Sequence, residues 1–249
     1  MAALLYCLPL TSPWLQAEEN GEQVRVNECL RLLKDDRTPL VIMGEQNCGK
    51  TVLLFQAGVA YANQDYHVTA ISRSPLSRMP LSVHGMIRPE AAGMLQTLTF
   101  LYMSKVSDLV AYCATLHTKP VLPDVLIVDD LDFYFNQLTE PSVEAGSARL
   151  CALLVDAAHF IKQKSSLGVL MCACGNYNNA WRHVLGQFKF TLADITADEK
   201  ENEKYSVHVQ TQTDDVTVTY QVQTSAVMIK DVVFRRALSL NADMSVTNK

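Results

Sequence analysis

The eight residues Gly44-Glu45-Gln46-Asn47-Cys48-Gly49-Lys50-Thr51 constrain this chain more than any other stretch, because they spell a complete G-x-x-x-x-G-K-[ST] loop. An apolar run, Leu40 to Met43, leads into the loop, and a helical pattern of apolar residues leaves it at Lys50. The spacing therefore predicts a strand, a tight glycine turn and a helix. Gly44 and Gly49 let the backbone curl so that successive N–H groups converge on phosphate oxygens. The start of the helix adds its partial positive charge. In such a loop the Lys50 ammonium reaches terminal phosphates and the Thr51 hydroxyl binds Mg²⁺. All eight residues are candidate ligands of ATP, and Thr51 is a candidate magnesium ligand.

A second signal is Val125-Leu126-Ile127-Val128 followed by Asp129 and Asp130. Four apolar residues ending in an acid read as a strand covered on both faces, with a carboxylate at its C-terminal edge. Asp129 is the candidate partner of Thr51 in holding magnesium, through water. Asp130, beside it, is the candidate catalytic base.

The rest of the chain alternates between the two periods. Helices are expected over Glu22 to Lys34, Lys50 to Asn63, Ser104 to His117 and Ser142 to Lys164. Strands are expected over Leu40 to Met43, His67 to Ser72, Leu95 to Tyr102, Val125 to Val128 and Gly168 to Cys174. Ser74 to Pro89 carries three prolines and a glycine and reads as irregular. Strand–helix alternation of this kind builds right-handed βαβ units around a mainly parallel sheet. After Lys189 the pattern becomes antiparallel: Tyr205 to Thr211 and Val216 to Val222 flank Asp214-Asp215 as a hairpin, and Val227 to Phe234 forms a third strand. The expected division is residues 1–38 as a lead-in with a short helix and 39–236 as the domain (39–190 core, 191–236 antiparallel tail extending the sheet edge). Residues 237–249 are expected to form a disordered tail.

Composition narrows the function classes. With a formal net charge of −5 the chain is not expected to coat nucleic acid through its overall field, so DNA binding would need a local basic patch or a partner. Arg73, Arg78 and Arg88 fall near the irregular 73–89 segment, where they either contact phosphate of nucleotide or DNA or are solvated. Seven cysteines, with no C-x-x-C pair, read as small hydrophobes in a reduced intracellular protein. Cys172 and Cys174, on one face of a strand, are core filling. His159 is expected to be packed or capped. No run approaches a membrane span.

Several stretches together resemble the SWIM-zinc-finger-associated proteins, a family of divergent RecA-like recombinase paralogues that serve as ATPase-like subunits of animal Shu complexes. The resemblance rests on the P-loop continuing into Val52-Leu53-Leu54-Phe55, on Ser72-Arg73-Ser74-Pro75-Leu76 with Met79-Pro80, and on Thr99-Phe100-Leu101-Tyr102. Leu126 to Leu131 followed by Tyr134, and Leu153-Leu154 with Ala157-Ala158-His159-Phe160, complete it. It spans roughly residues 39–190 and implies a RecA-like P-loop NTPase core. It further implies a nuclear protein paired with a SWIM-domain zinc-finger protein, supporting recombinase filaments on single-stranded DNA, with weak DNA-stimulated ATPase activity at most.

The chain departs from RecA-type ATPases in two places. Those enzymes set a water-activating glutamate just past the strand after the P-loop helix; here that strand runs out through Ile71-Ser72-Arg73-Ser74. The strand that carries their phosphate-sensing glutamine ends Cys172-Ala173-Cys174-Gly175, with Asn176 and Asn178 beyond it. Binding groups are present, whereas groups that orient water are missing or displaced. Three readings stay open: a recombination subunit in which nucleotide is mainly structural, a working NTPase or small-molecule kinase that uses Asp129 or Asp130, and an interaction protein whose P-loop has lost nucleotide altogether.

Overall fold

The computed structural model describes residues 6–7, 38–77, 79–88, 96–165, 167–210 and 214–236. The expected helix over Glu22 to Lys34, Arg78, Cys29 and the tail beyond residue 236 lie outside these residues.

Runs that are apolar on both faces make the centre of the sheet. Strands β1 (Leu40–Met43), β5 (Val125–Val128) and β6 (Val169–Cys174) are buried at every position. They pair in parallel, Val41 opposite Cys172 and Ile127 opposite Met171, and β2 (Val68–Ser72) continues the parallel set against β5. Alternate residues of these strands feed two separate cores. Leu40, Ile42, Ile127 and Met171 pack with helix α1 (Lys50–Ala62) on one face. Val41, Met43, Leu126, Val128, Leu170 and Cys172 pack on the other, against α2 (Val106–Ala114), α3 (Leu131–Phe135), α4 (Val143–Lys164) and α5 (Asn179–Gln187). This is the three-layer arrangement that parallel sheets require, because helical crossovers must cover both faces.

Within the described residues the expected elements are present, several with shifted ends. The helix read from Ser104 to His117 is α2 followed by a 3₁₀ turn at Leu116–Thr118. The strand read from Leu95 is β4 (Leu98–Tyr102). Ser142 caps α4, its hydroxyl accepting from the Ala145 amide. The six described cysteines are buried free thiols, and burial pushes Cys113 and Cys151 up to about 12. His159 is exposed on α4 rather than packed, because it falls on the solvent side of the helical repeat.

The antiparallel tail extends the sheet as expected, and more extensively than the sequence indicated. Strands β7 (Thr191–Ala197), β8 (Lys204–Gln210), β9 (Asp214–Val222) and β10 (Ala226–Arg236) continue from β1 in order, β7 itself running parallel to β1. Val207, Val209, Val216 and Val218 alternate into the α1-side core, and His208 and Gln210 face out. β10 in turn pairs with β3 (Ser82–Val83), a two-residue strand inside the segment read as irregular, which ends the sheet. The full order is β3-β10-β9-β8-β7-β1-β6-β5-β2-β4. Besides β3, the elements α3, α5 and β7 were not anticipated. Among the described residues no helix is long and apolar enough to cross a membrane.

Candidate nucleotide site

At the C-terminal end of β1 the chain turns through Gly44 to Gly49 and enters α1. Two residues of this turn have positive φ: Asn47 at 63° and Gly49, the N-cap, at 94°. The left-handed turn at Gly49 is one that a Cβ disfavours. Gly44 has a different reason to be glycine. A Cβ there would lie 2.7 Å from Cys48 Sγ and 3.0 Å from Ile195 Cβ, so the loop folds back on itself where only a hydrogen fits. The Gly44 amide donates to the Cys174 carbonyl at 3.2 Å, which ties the loop to β6.

The four candidate side chains, Lys50, Thr51, Asp129 and Asp130, line one end of the sheet. Thr51 Oγ1 donates to Asp129 Oδ2 at 2.8 Å, across 78 residues of chain. Lys50 Nζ curls over the loop and donates to the carbonyls of Gly44 (2.8 Å) and Glu45. The ammonium is close enough to Asp129 and Asp130 to draw both acid constants down. Asp129 is nevertheless pushed up to about 6, first by enclosure and then by the negative neighbour Asp130. A carboxylate that is costly to charge alone gains most from a cation beside it. The hydroxyl and carboxylate are hard oxygen donors, a set suited to Mg²⁺. The glycine cradle, with its lysine and helix N-terminus, has the shape and charge of a phosphate site. The residues present thus fit a magnesium nucleotide.

A cleft of about 580 Å³ opens over the loop, lined among others by Lys50, Thr51, Arg73, Asp130, Tyr177 and Val222. Asp130 does not stand free in it. Its Oδ2 lies 3.0 Å from Arg73 Nε, and burial raises its acid constant while Arg73 pulls it back. Arg73 occupies the strand end at which a RecA-type ATPase carries glutamate. On the other side, Asn178 caps α5 by accepting from the Ala180 amide, so it is committed to the helix. Between them Tyr177 reaches back: its hydroxyl donates to Asp132 Oδ2 at 3.1 Å and accepts from Asn136 Nδ2 at 3.0 Å. Asp132 Oδ1 accepts from the Gly175 amide.

Sequence reasoning missed Tyr220. From β9 its hydroxyl donates to the Cys48 carbonyl in the loop at 2.5 Å. It also missed Tyr177 and Asp132, as well as the pairing of Arg73 with Asp130. That last pairing had a readable signal. Ile71 is in register with Val128, so Arg73 and Asp130 each lie two residues past the same rung of neighbouring strands. Arg88 is exposed in the 79–88 segment. Among the described residues no group of three or more His, Cys, Asp or Glu side chains is placed to hold a metal ion.

No family model matches the chain. Human ATPase SWSAP1 is 34% identical over 125 residues, which is 49% of this chain and 52% of that protein. The chain therefore spans about half the length of the curated relative it matches. Among solved structures, the flagellar accessory protein FlaH of Methanocaldococcus jannaschii superposes with a TM-score of 0.54 at 14% identity, covering 78% of this chain and 89% of that one. A KaiC-like protein of Pyrococcus horikoshii gives 0.51 at 11% identity over 79% of this chain and 90% of its own. The domain has the RecA-like P-loop ATPase fold, and half of its length is similar in sequence to human ATPase SWSAP1.

Proposed function

We propose that this chain binds Mg-ATP in the cleft over Gly44 to Thr51 and acts as the recombinase-paralogue subunit of a Shu-type complex. The observation that carries the nucleotide reading is the meeting of Lys50, Thr51 and Asp129 over a loop held open by Gly44 and Gly49. In this reading the loop amides and Lys50 hold the phosphates, while Thr51 directly and Asp129 through water hold Mg²⁺. The magnesium ion, when bound, neutralises charge on the terminal phosphates.

Nucleotide serves mainly to stabilise the fold, and hydrolysis is weak. The strand end that should present a water-orienting carboxylate presents Arg73, and the acid nearby, Asp130, is paired with Arg73 in the absence of nucleotide. Asp130 is the base that the cleft offers to slow turnover. The similarity to SWSAP1 and the Ser72-to-Pro80 stretch support a recombination role. That role places the chain in the nucleus with a SWIM-domain zinc-finger partner, a recombinase and single-stranded DNA. The net charge of −5 agrees with weak DNA binding by the chain alone.

Thermal melting with and without Mg-ATP tests the nucleotide reading. A ligand at one hundred times its Kd adds about 2.7 kcal/mol to the folded state, so the wild type should melt several degrees higher and Lys50→Ala should not respond. A wild type whose melting ignores Mg-ATP sinks the reading. Co-purification with a SWIM-domain zinc-finger protein tests the assembly, and single-turnover hydrolysis at ordinary enzyme rates would favour an active NTPase instead.

A further inference from the structure

Arg73 follows the last residue of β2, and it lines the same cleft as Lys50 and Thr51. Its Nε is 3.0 Å from Asp130 Oδ2, and its guanidinium carbon lies 5.5 Å from the centre of the Phe133 ring. The ring supports the arm from below without consuming a hydrogen-bond donor. The partner carboxylate is presented by a residue in the left-handed region, φ 51° and ψ 49°, which an aspartate tolerates at some cost.

Two features make this ion pair exchangeable. Both side chains are partly open to solvent, 51% for Arg73 and 34% for Asp130, and pairs of that exposure contribute about 0–1 kcal/mol. A guanidinium can instead grip a phosphate with two parallel charge-assisted hydrogen bonds, an interaction roughly twice as strong as a neutral one. Asp130 released from Arg73 still faces the Lys50 ammonium, although Asp132 repels it.

We propose that Arg73 is a triphosphate-sensing residue, whose guanidinium leaves Asp130 to grip the terminal phosphate of a bound nucleoside triphosphate. The chain thereby separates triphosphate from diphosphate through the residue that follows β2. This rests on the nucleotide reading above, and it adds which phosphate is sensed and by what exchange. No bond is made or broken; one ion pair replaces another.

Calorimetric titration of the full chain with Mg-ADP and with a non-hydrolysable Mg-ATP analogue tests it. Arg73→Ala should weaken the triphosphate analogue about tenfold and leave ADP within twofold; Arg73→Lys should fall between. Asp130→Asn should tighten the analogue severalfold with ADP unchanged, and the gain should vanish in the Arg73→Ala/Asp130→Asn double variant. Equal losses for both nucleotides in Arg73→Ala, or no loss for either, overturn the sensing role while leaving nucleotide binding intact. A wild type that binds neither nucleotide overturns the nucleotide reading itself, and the sensing role with it. Unchanged thermal unfolding of the variants without nucleotide excludes a folding defect as the cause.

Discussion

The Tyr220 hydroxyl donates to the carbonyl of Cys48, joining strand β9 to the phosphate loop across 172 residues of chain. The antiparallel tail is thereby part of the site. A P-loop needs its amides turned inward toward the ligand, which leaves carbonyls pointing out into the protein. Here one of those carbonyls would be buried, and Tyr220, fully enclosed and stacked on Tyr205, satisfies it.

Tyr220→Phe removes that donor and nothing else. The Cys48 carbonyl then loses its buried partner, at a cost of about 1–3 kcal/mol. Both stability and nucleotide affinity should fall, the latter because the loop is less well organised before binding. Denaturant unfolding and titration with Mg-ATP check this together. Lost stability with unaltered affinity would show that the tail supports the sheet alone and not the loop.

Asp129 gives the second prediction, through pH. Its acid constant is raised to about 6 in the folded chain, by enclosure and by Asp130. A raised constant favours the protonated folded form. The contribution to stability is therefore complete below about pH 4, near the ordinary aspartate value, and is lost as pH rises through about 6. Asp129→Asn imitates the protonated carboxyl and keeps an oxygen for Thr51. In EDTA, the variant should equal the wild type near pH 4 and exceed it by about 2 kcal/mol at pH 8, allowing for partial exposure. The same variant should lose the magnesium-dependent part of nucleotide binding. A stability difference that stays flat between pH 4 and 8 would falsify the assignment of strain to this carboxylate.

How much of this was legible in the sequence follows from the range of each interaction. Local signals carried the core: the loop from Gly44 to Thr51, the apolar runs of β1, β5 and β6, and the acid at 129 depend on residues adjacent in the chain. Even the 2.8 Å contact between Thr51 and Asp129 was accessible, because strands of one parallel sheet end on the same edge, and β1 and β5 are separated there only by β6. The segment from Ser82 to Val83 was unreadable, since two residues carry no period and their pairing is with β10. Helix α3 is five residues long and lies below the length at which a helical repeat declares itself. Tyr220 reads as one more inward residue of an alternating strand, and nothing local says that its hydroxyl serves the loop.

Gln56 shows the same long-range logic and gives the last prediction. It sits in the apolar stretch of α1, only 1% exposed, where a polar side chain needs partners. Its Oε1 accepts from the Val83 amide at 3.1 Å, and its Nε2 donates to the Ile87 carbonyl at 2.9 Å. One amide side chain thus fastens the 82–87 segment to the helix that begins in the phosphate loop, and β3 in turn ends the row of tail strands. Gln56→Leu fills the space and leaves a buried N–H and a C=O unpaired, so it should cost about 2–4 kcal/mol despite its greater hydrophobicity. The loss should concentrate in one place. Hydrogen exchange should speed up at the amides of Val83 and Val227 and on β10, while β1, β5 and β6 keep their protection. Uniformly faster exchange across the whole sheet would mean that Gln56 serves global packing and does not act as a local fastening.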